Sequence, residues 1–384
     1  MPKPAQHTAL LTATFERRLS AATHQLQASA AAHDVDGADP ASLCAPLIRH
    51  GLFIDALPRC DGGSGLTAEG DALARALMAI GAADLSAGRI FEGHVNAVKL
   101  VLHYGDEDLR RRLIADVRSG TVCGVWNAEA PLGLKINRSP TPGQAARLQG
   151  AKIYASGLGL VQRPLITART PEGQTLMLAP RLDAAPLHDL SGWTMRGMRA
   201  TATGTVDFTD LTVEAGDVVG QPDDYYRSPL FKGGAWRFAA VQTGAVLRLL
   251  ALMRQELCER RRDRDPHQRA RFGTAALAGE TAELWVMRAA AIAEDPAADA
   301  SAIDAYVSLA RLAVERAALE VIALAERSLG LAAFTRPNAI ERVVRDLSTY
   351  LRQPFPDGVL EEAAAYVLGL DRPPPWSVGR GFEP

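Results

Sequence analysis

Hydrophobic positions recur with a helical period along the first third of the chain. Leu10, Leu11, Phe15 and Leu19 fall near a 3.6-residue spacing. The stretches EGDALARALMAIGAAD (69–84) and GDEDLRRRLIADVRSG (105–120) each gather apolar residues on one face. The second opens on acidic residues and closes on Gly120, which suits the helix dipole and a C-terminal glycine. GLFIDALPRCDGGSGLT (51–67) reads as a glycine-rich loop. No strand precedes it and no Lys-Ser/Thr follows, so a phosphate-cradling loop is not expected there.

The period then shortens. Between about 121 and 225, runs such as ARLQGAKIYASG, PLITART, TLMLAP and TGTVDFTDLTV are short, rich in Ile, Val, Leu and Thr, and separated by Gly, Pro and Asp. No helix-length segment separates these strands, which predicts an antiparallel barrel or sandwich and not a parallel sheet. Val206, Phe208, Leu211 and Val213 alternate with one slip, predicting a bulge. From 226 onward the helical pattern returns, over 236–263, 266–294, 300–329, 338–353 and 358–369, with Pro266 and Gly330 as breakers. DRPPPWSVGRGFEP (371–384) is predicted to be an extended arm. The expected class is therefore a multidomain α+β protein: an N-terminal α-helical domain (1–120), a middle antiparallel β-domain (121–225) and a C-terminal helical bundle with its tail (226–384). Long alanine-rich helices in such a bundle commonly bury surface against another copy, so a homo-oligomer, dimer or tetramer, is expected.

Composition narrows the function. The 384 residues are 47% apolar and 22% charged, with a formal net charge of −2, which argues against a nucleic-acid surface. The run ERRRDRD mixes both signs and reads as a solvated helix face. Cys44, Cys60, Cys123 and Cys258 are scattered and form no CxxC, so neither disulfides nor zinc are expected and a reducing cytoplasm is the expected compartment. The histidines form no HxxxH or HxH pair, and His94 and His103 stand nine residues apart on one predicted helix, so no metal site is expected. No apolar run reaches membrane-span length, and MPKPAQHTALL has no apolar core with a small-residue cleavage site, so neither a span nor a signal peptide is expected.

Five segments in order resemble the acyl-CoA dehydrogenase superfamily of flavoproteins, across nearly the whole chain. They are GLFIDALPRCDGGSG, HVNAVKLVLHYGDEDLRRRLIADVRSGTVCGVWNAEAPLG, LQGAKIYASG, GWTMRGMRATATGTVDFTDLTV and IERVVRD. The resemblance implies an N-terminal helical domain, a central β-domain and a C-terminal four-helix bundle, assembled as oligomers around FAD (FMN is the alternative). It also implies a small-molecule substrate, such as an acyl-CoA, and an electron-transfer flavoprotein or a flavin reductase as partner. By that resemblance Val125, Asn127 and Ala128 meet the pyrimidine edge of the flavin, while Tyr154 and Ser156 flank N5. The competing reading makes Trp126 and Tyr154 plain core aromatics. A pyrophosphate needs an arginine. Counting without gaps from Gly244 selects Arg260, whereas the motif RARFG selects Arg269. Gly330, in ERSLGLAAF, stands where the family covers the adenine half of the cofactor from a neighbouring subunit.

The chain also departs from the pattern. Leu134 in AEAPLGLK replaces a serine that helps bind flavin phosphate or CoA. The family's usual catalytic glutamate falls on Pro354, and its alternative position lies in GGAWRFAAVQTG, which has no acid. A general base must reach the proton it removes. Asp357, just past the PFP break, is the remaining candidate, against a reading in which it caps the next helix. Three functions stay open: an FAD-dependent dehydrogenase acting on an acyl-thioester or similar small substrate, with hydride transfer to flavin N5; a flavin-dependent monooxygenase supplied with reduced flavin; or a catalytically silent flavin-binding paralogue.

Overall fold

The computed structural model describes residues 4–182, 187–371 and 373–376. Its first part is helical: α1 (Pro4–His33), α2 (Pro40–Arg49), α3 (Gly70–Ala83), α4 (Leu85–Tyr104) and α5 (Glu107–Arg118). Aspartates set the starts of three of them. Asp39, Asp84 and Asp106 accept backbone N–H groups of the first turns of α2, α4 and α5. The segment read as a loop between α2 and α3 winds into three short 3-10 turns, at 54–56, 59–61 and 66–68.

The middle part contains β1 (Val122–Trp126), β2 (Lys135–Ile136), β3 (Ala146–Gln149), β4 (Ala151–Ala155), β5 (Val161–Arg169), β6 (Thr175–Leu178), β7 (His188–Asp189), β8 (Gly204–Asp207), β9 (Thr212–Val213) and β10 (Val218–Val219). One sheet runs β10-β6-β5-β2-β3-β9, with β1 also on β5, and a second runs β4-β8-β7. Most pairs are antiparallel, but β1 lies parallel to β5 from Val122 to Trp126, and β2 touches β5 in the same sense. That parallel pair is a departure from the purely antiparallel expectation. The TVDFTDLTV slip is also not a bulge: Asp210 takes a left-handed turn (φ 67°), and β8 and β9 belong to different sheets. The bulge sits on β4, where Lys152 pairs with Val206 and Ala155 with Gly204, so one extra residue is inserted around Tyr154.

The last part is helical again: α6 (Trp236–Glu259), α7 (Pro266–Ala293), α8 (Ala300–Leu329), α9 (Ala339–Tyr350) and α10 (Pro356–Leu368). The predicted ends are shifted at α6 and at α9–α10. Arg261 takes a left-handed turn (φ 55°) that stops α6 early, and Phe355 (φ 57°) separates α9 from α10. Of the predicted arm, residues 372 and 377–384 lie outside the described residues.

Small residues set how closely these parts approach. A Cβ on Gly244 of α6 would run into the Met78 carbonyl of α3, and one on Gly81 of α3 into the Val241 backbone of α6. The two helices therefore cross nearly backbone to backbone. α4 is buried on almost every face, and one of its residues ties the first two parts together. The His94 Nδ1 accepts the N–H of Cys123 on β1 at 3.0 Å, so its Nε2 carries the proton and donates to the Phe53 carbonyl at 2.9 Å. Burial holds this imidazole neutral, pushing its pKa down to about 4.

A second tie uses the IERVVRD motif. Arg345 of α9 is 1% exposed and donates from Nη1 and Nη2 to both oxygens of Asp34, after α1, at 3.0 and 2.5 Å. Its Nε donates to Glu341 at 2.9 Å and its Nη1 to the Arg196 carbonyl at 3.3 Å. Asp346 accepts the N–H of Met198 at 2.7 Å. The motif is thus a buried clasp among the α1–α2 turn, the loop before β8 and the last helices. Its charges are spent on structure.

Candidate functional site

The site is built where α4 lies against β1 and the residues just after β4. Gly93 of α4 packs on β1 in ordinary van der Waals contact, a Cβ there lying 3.9 Å from the Val125 N and 4.0 Å from the Gly124 Cα. Beside them is a recess of about 10 Å³, lined by Arg89, Ile90, Gly93, Gly124, Val125, Trp126, Ser156 and Val161. That is room for about one water molecule.

Two of the predicted residues, Val125 and Ser156, meet on this recess. The Ser156 hydroxyl lies 2.9 Å from that of Thr203, which lies 2.7 Å from that of Thr201, and Thr201 donates to the Met198 carbonyl at 2.7 Å. Asn127 and Ala128 follow β1 directly. The Asn127 side chain accepts from Thr167, and the Ala128 carbonyl accepts the Ile153 N–H at 3.0 Å. Lys152, with no exposed side-chain surface, donates to Thr167 at 3.1 Å and pairs with Glu129.

The two aromatic residues separate. Trp126 is a core side chain, 2% exposed, with Nε1 donating to the Ser156 carbonyl at 2.9 Å and its ring 6.5 Å from Phe208. Tyr154 is 54% exposed, held by the bulge in the left-handed region (φ 54°). Its ring meets Trp193 edge-on at 6.3 Å. A non-glycine residue there costs roughly 1–3 kcal/mol, which the surrounding strands must hold. Tyr154 and Trp193 thus form an open aromatic corner, and Ser156, two residues further on, lines the small recess.

Further predicted residues lie elsewhere. Arg269, near the start of α7, donates to the Asp263 carbonyl at 2.9 Å and lines a cavity of about 190 Å³ with Arg254, Cys258 and Phe272. Arg260 pairs with Glu256 at 2.7 Å and is not in that lining. Gly330 closes α8 in the left-handed region (φ 63°), with open space where a Cβ would be. Asp357 is exposed in the first turn of α10, a helix packed on α8. It caps nothing there, because the helix starts at Pro356 with no side-chain cap.

Sequence reasoning missed a polar stripe. Arg89, Glu92, Asn96 and Lys99 recur every three or four residues along the otherwise buried α4. Arg89 Nη1 donates to Glu92 at 2.8 Å, Glu92 accepts from Asn96, and Asn96 accepts from Arg237 of α6. Arg237 lies 3.6 Å from Glu294, which pairs with Lys99. Burial first, and then the charge of Arg237, push the Lys99 ammonium down to about 8 against the pull of Glu294. The signal was present as polar residues at helical spacing in an apolar segment.

No protein-family model matches the chain. Among curated proteins it is similar to an amino sugar nitrososynthase of Streptomyces rubradiris, 27% identical over 57% of this chain and 56% of that protein. It is also similar to a dibenzothiophene monooxygenase of Rhodococcus erythropolis, 25% identical over 38% of this chain and 37% of that one. The matches thus span about half or less of these relatives. Among solved structures, FMN-bound TdsC of Paenibacillus sp. A11-2 superposes with a TM-score of 0.82, at 20% identity, over 94% of this chain and 99% of that one. A glutaryl-coenzyme A dehydrogenase complex gives 0.79 at 19% identity, over 94% of both chains. With helices, a mostly antiparallel β-region and a helical bundle in that order, the chain has the acyl-CoA dehydrogenase fold.

Proposed function

We propose that this protein is a flavin-dependent oxidoreductase that works as a monooxygenase on a small molecule, with reduced flavin supplied by a separate reductase. The observation that carries this reading is the state of the carboxylates around the site. No lining residue of the recess is an acid. Glu92 is held by Arg89 and Asn96, and Glu129 by Lys152 and the Leu134 N–H at 2.9 Å. Both positions where the fold's dehydrogenases carry a base are blank here, at Pro354 and in residues 233–244. Oxygenation needs no proton abstraction from carbon, so these blanks cost it nothing. The similarity to a monooxygenase and a nitrososynthase points the same way.

The residues fit a flavin. Tyr154 and Trp193 form an uncovered aromatic corner suited to a flat ring system, and Ser156, two residues along the chain from Tyr154, offers a hydroxyl held by Thr203. When bound, the flavin supplies the redox chemistry and the activation of dioxygen. The chain supplies position: bulge-held Tyr154 walls the corner, Ser156 is oriented through Thr203, and α4 closes the back against water. We take FAD as the cofactor, with Arg269 and Arg254 beside the 190 Å³ cavity as phosphate partners and Gly330 leaving space for a neighbouring copy in a homo-oligomer. FMN, which TdsC binds, is the alternative. No described helix is long and apolar enough to cross a membrane, and we place the protein in the cytoplasm.

The second reading, an acyl-thioester dehydrogenase, rests on the similarity to the glutaryl-coenzyme A dehydrogenase fold and would use Asp357 as base. One experiment separates the two. A panel of acyl-CoAs added anaerobically to the purified flavoprotein is expected to leave the flavin yellow, while a flavin reductase with NADH and air restores turnover. Bleaching by an acyl-CoA would sink the monooxygenase reading, and protein that binds no flavin on titration would sink both.

A further inference from the structure

Resting on the flavin reading, we propose that Arg89 is the specificity-determining residue of the site: at the recess beside Val125 and Ser156, it anchors a compact anionic oxygen group of the substrate, a carboxylate or a phosphate. Arg89 is the open end of the buried chain of charges that starts on α4. Its side chain is 26% exposed, against 4% for its partner Glu92. A guanidinium has five N–H donors, and among the described residues Arg89 uses one, in its 2.8 Å bond to Glu92. The other lining groups are glycine backbone, apolar side chains and Ser156, so Arg89 is the recess's single ionic handle among the described residues.

The network behind it has a charge to spare. Arg89, Arg237 and Lys99 are three cations facing two carboxylates, Glu92 and Glu294. One further group beside the pair also lacks a partner. The hydroxyl of Tyr350 is buried without a hydrogen bond and feels the charges of Arg89 and Glu92. Burial drives this phenol well above its usual range, so it stays protonated. A donor left without an acceptor costs free energy, and an anionic oxygen at the recess recovers it for the unused N–H groups of Arg89. An aliphatic chain in the same place would bury the free face of Arg89 with nothing to bind it, and is selected against. The recess has room for about one water, and so for one oxygen atom of a carboxylate or phosphate.

The test titrates flavin-loaded protein with sodium acetate, and separately with inorganic phosphate, at constant ionic strength, reading the flavin absorbance. A saturable perturbation is expected. Arg89→Gln should weaken it at least tenfold, and Glu92→Gln, which frees more of the guanidinium, should tighten it. A merely structural role for Arg89 would make both variants shift the same way. Equal affinity in wild type and Arg89→Gln, weakening in both variants, or no saturable perturbation would overturn the proposal. The same anions are also titrated against the melting temperature of flavin-free protein and of its Arg89→Gln variant. That arm judges Arg89 even if the protein proves to hold no flavin, an outcome that sinks the functional reading alone. A response to acetate but not phosphate, or the reverse, identifies which anion the recess takes.

Discussion

Asp346 on α9 accepts the backbone N–H of Met198, in the loop before β8, at 2.7 Å, although the two lie 148 positions apart. The loop is pressed so close that a Cβ on Gly197 would collide with the Arg345 carbonyl. Burial pushes the Asp346 carboxyl up to about 7, against the N–H of Met198 and the charge of Arg345, with Asp84 and Asp34 adding repulsion. A raised acid in the folded state means that the native protein holds its proton where the unfolded chain has lost it. The stability it confers is full below the unfolded value near 4 and is lost as pH rises through about 7. Melting temperature measured from pH 4 to pH 8 should therefore carry a falling component that Asp346→Asn removes. A variant whose profile matches wild type would show that this carboxyl is ionised throughout.

Arg345 holds the same clasp by charge. Removing it leaves Asp34 with Arg199 at 3.7 Å and Glu341 with Arg336 at 3.5 Å in place of their shared cation. Arg345→Met should destabilise the protein by up to about 3–5 kcal/mol, the cost of a buried pair broken on one side, less what those two arginines recover. Chemical denaturation gives the number. A loss under 1 kcal/mol would mean that the clasp is dispensable.

The order of helices, strands and helices was legible because periodicity reports which face is buried. Where the sequence misled, two faces were buried at once or a backbone angle decided. The parallel β1–β5 pair has apolar residues on both sides and carries no alternation that could reveal its direction. The end of α6 and the break before α10 hang on left-handed residues, Arg261 and Phe355, of types that rarely adopt that conformation. The clasp was visible only as the motif IERVVRD, since its partners Asp34 and Met198 are remote in the chain. At the site, the family resemblance proposed Ser156 and Tyr154, and nothing in the sequence told that Trp126 lies in the core while Tyr154 is half exposed. The α4 stripe was readable in principle, as charged residues at helical spacing; its meaning needed Arg237 and Glu294 from other helices.

His94 predicts the opposite pH trend to Asp346. Its pKa is about 4 in the fold and near 6.5 in the unfolded chain, so stability is complete above 6.5 and declines as pH falls toward 4. His94→Phe should abolish that acid-side decline. It also leaves the Phe53 carbonyl and the Cys123 N–H without their partner, a loss of about 1–3 kcal/mol per group. Thermal melts of both proteins at pH 5 and pH 8 check both statements. An unaltered acid slope would contradict the neutral, two-bond imidazole.

Asp357 is exposed at the start of α10 and is not part of the lining that Val125 and Ser156 share. Asp357→Ala should leave both the melting temperature and turnover within error of wild type. If turnover fell more than tenfold with the fold intact, the acid would be the base of a dehydrogenase, and the monooxygenase proposal would lose its main support.

Tyr154 and Trp126 should fail in different ways when shortened. Trp126 is in the core, and its indole N–H holds the Ser156 carbonyl, so Trp126→Ala should cost about 3–5 kcal/mol of stability. Tyr154 is half exposed and leans on Trp193 alone among the described aromatics. It also sits in a left-handed conformation that glycine adopts without penalty. Tyr154→Gly should therefore relieve backbone strain and hold or raise the melting temperature, while releasing flavin, seen as lost absorbance near 450 nm after gel filtration, roughly an aromatic contact's worth of ~1–3 kcal/mol in affinity. Such a split, stability kept and cofactor lost, is what a residue held under strain for a ligand produces. A Tyr154→Gly protein that melts early yet keeps its flavin would make the residue a structural one, and would move the cofactor away from this corner.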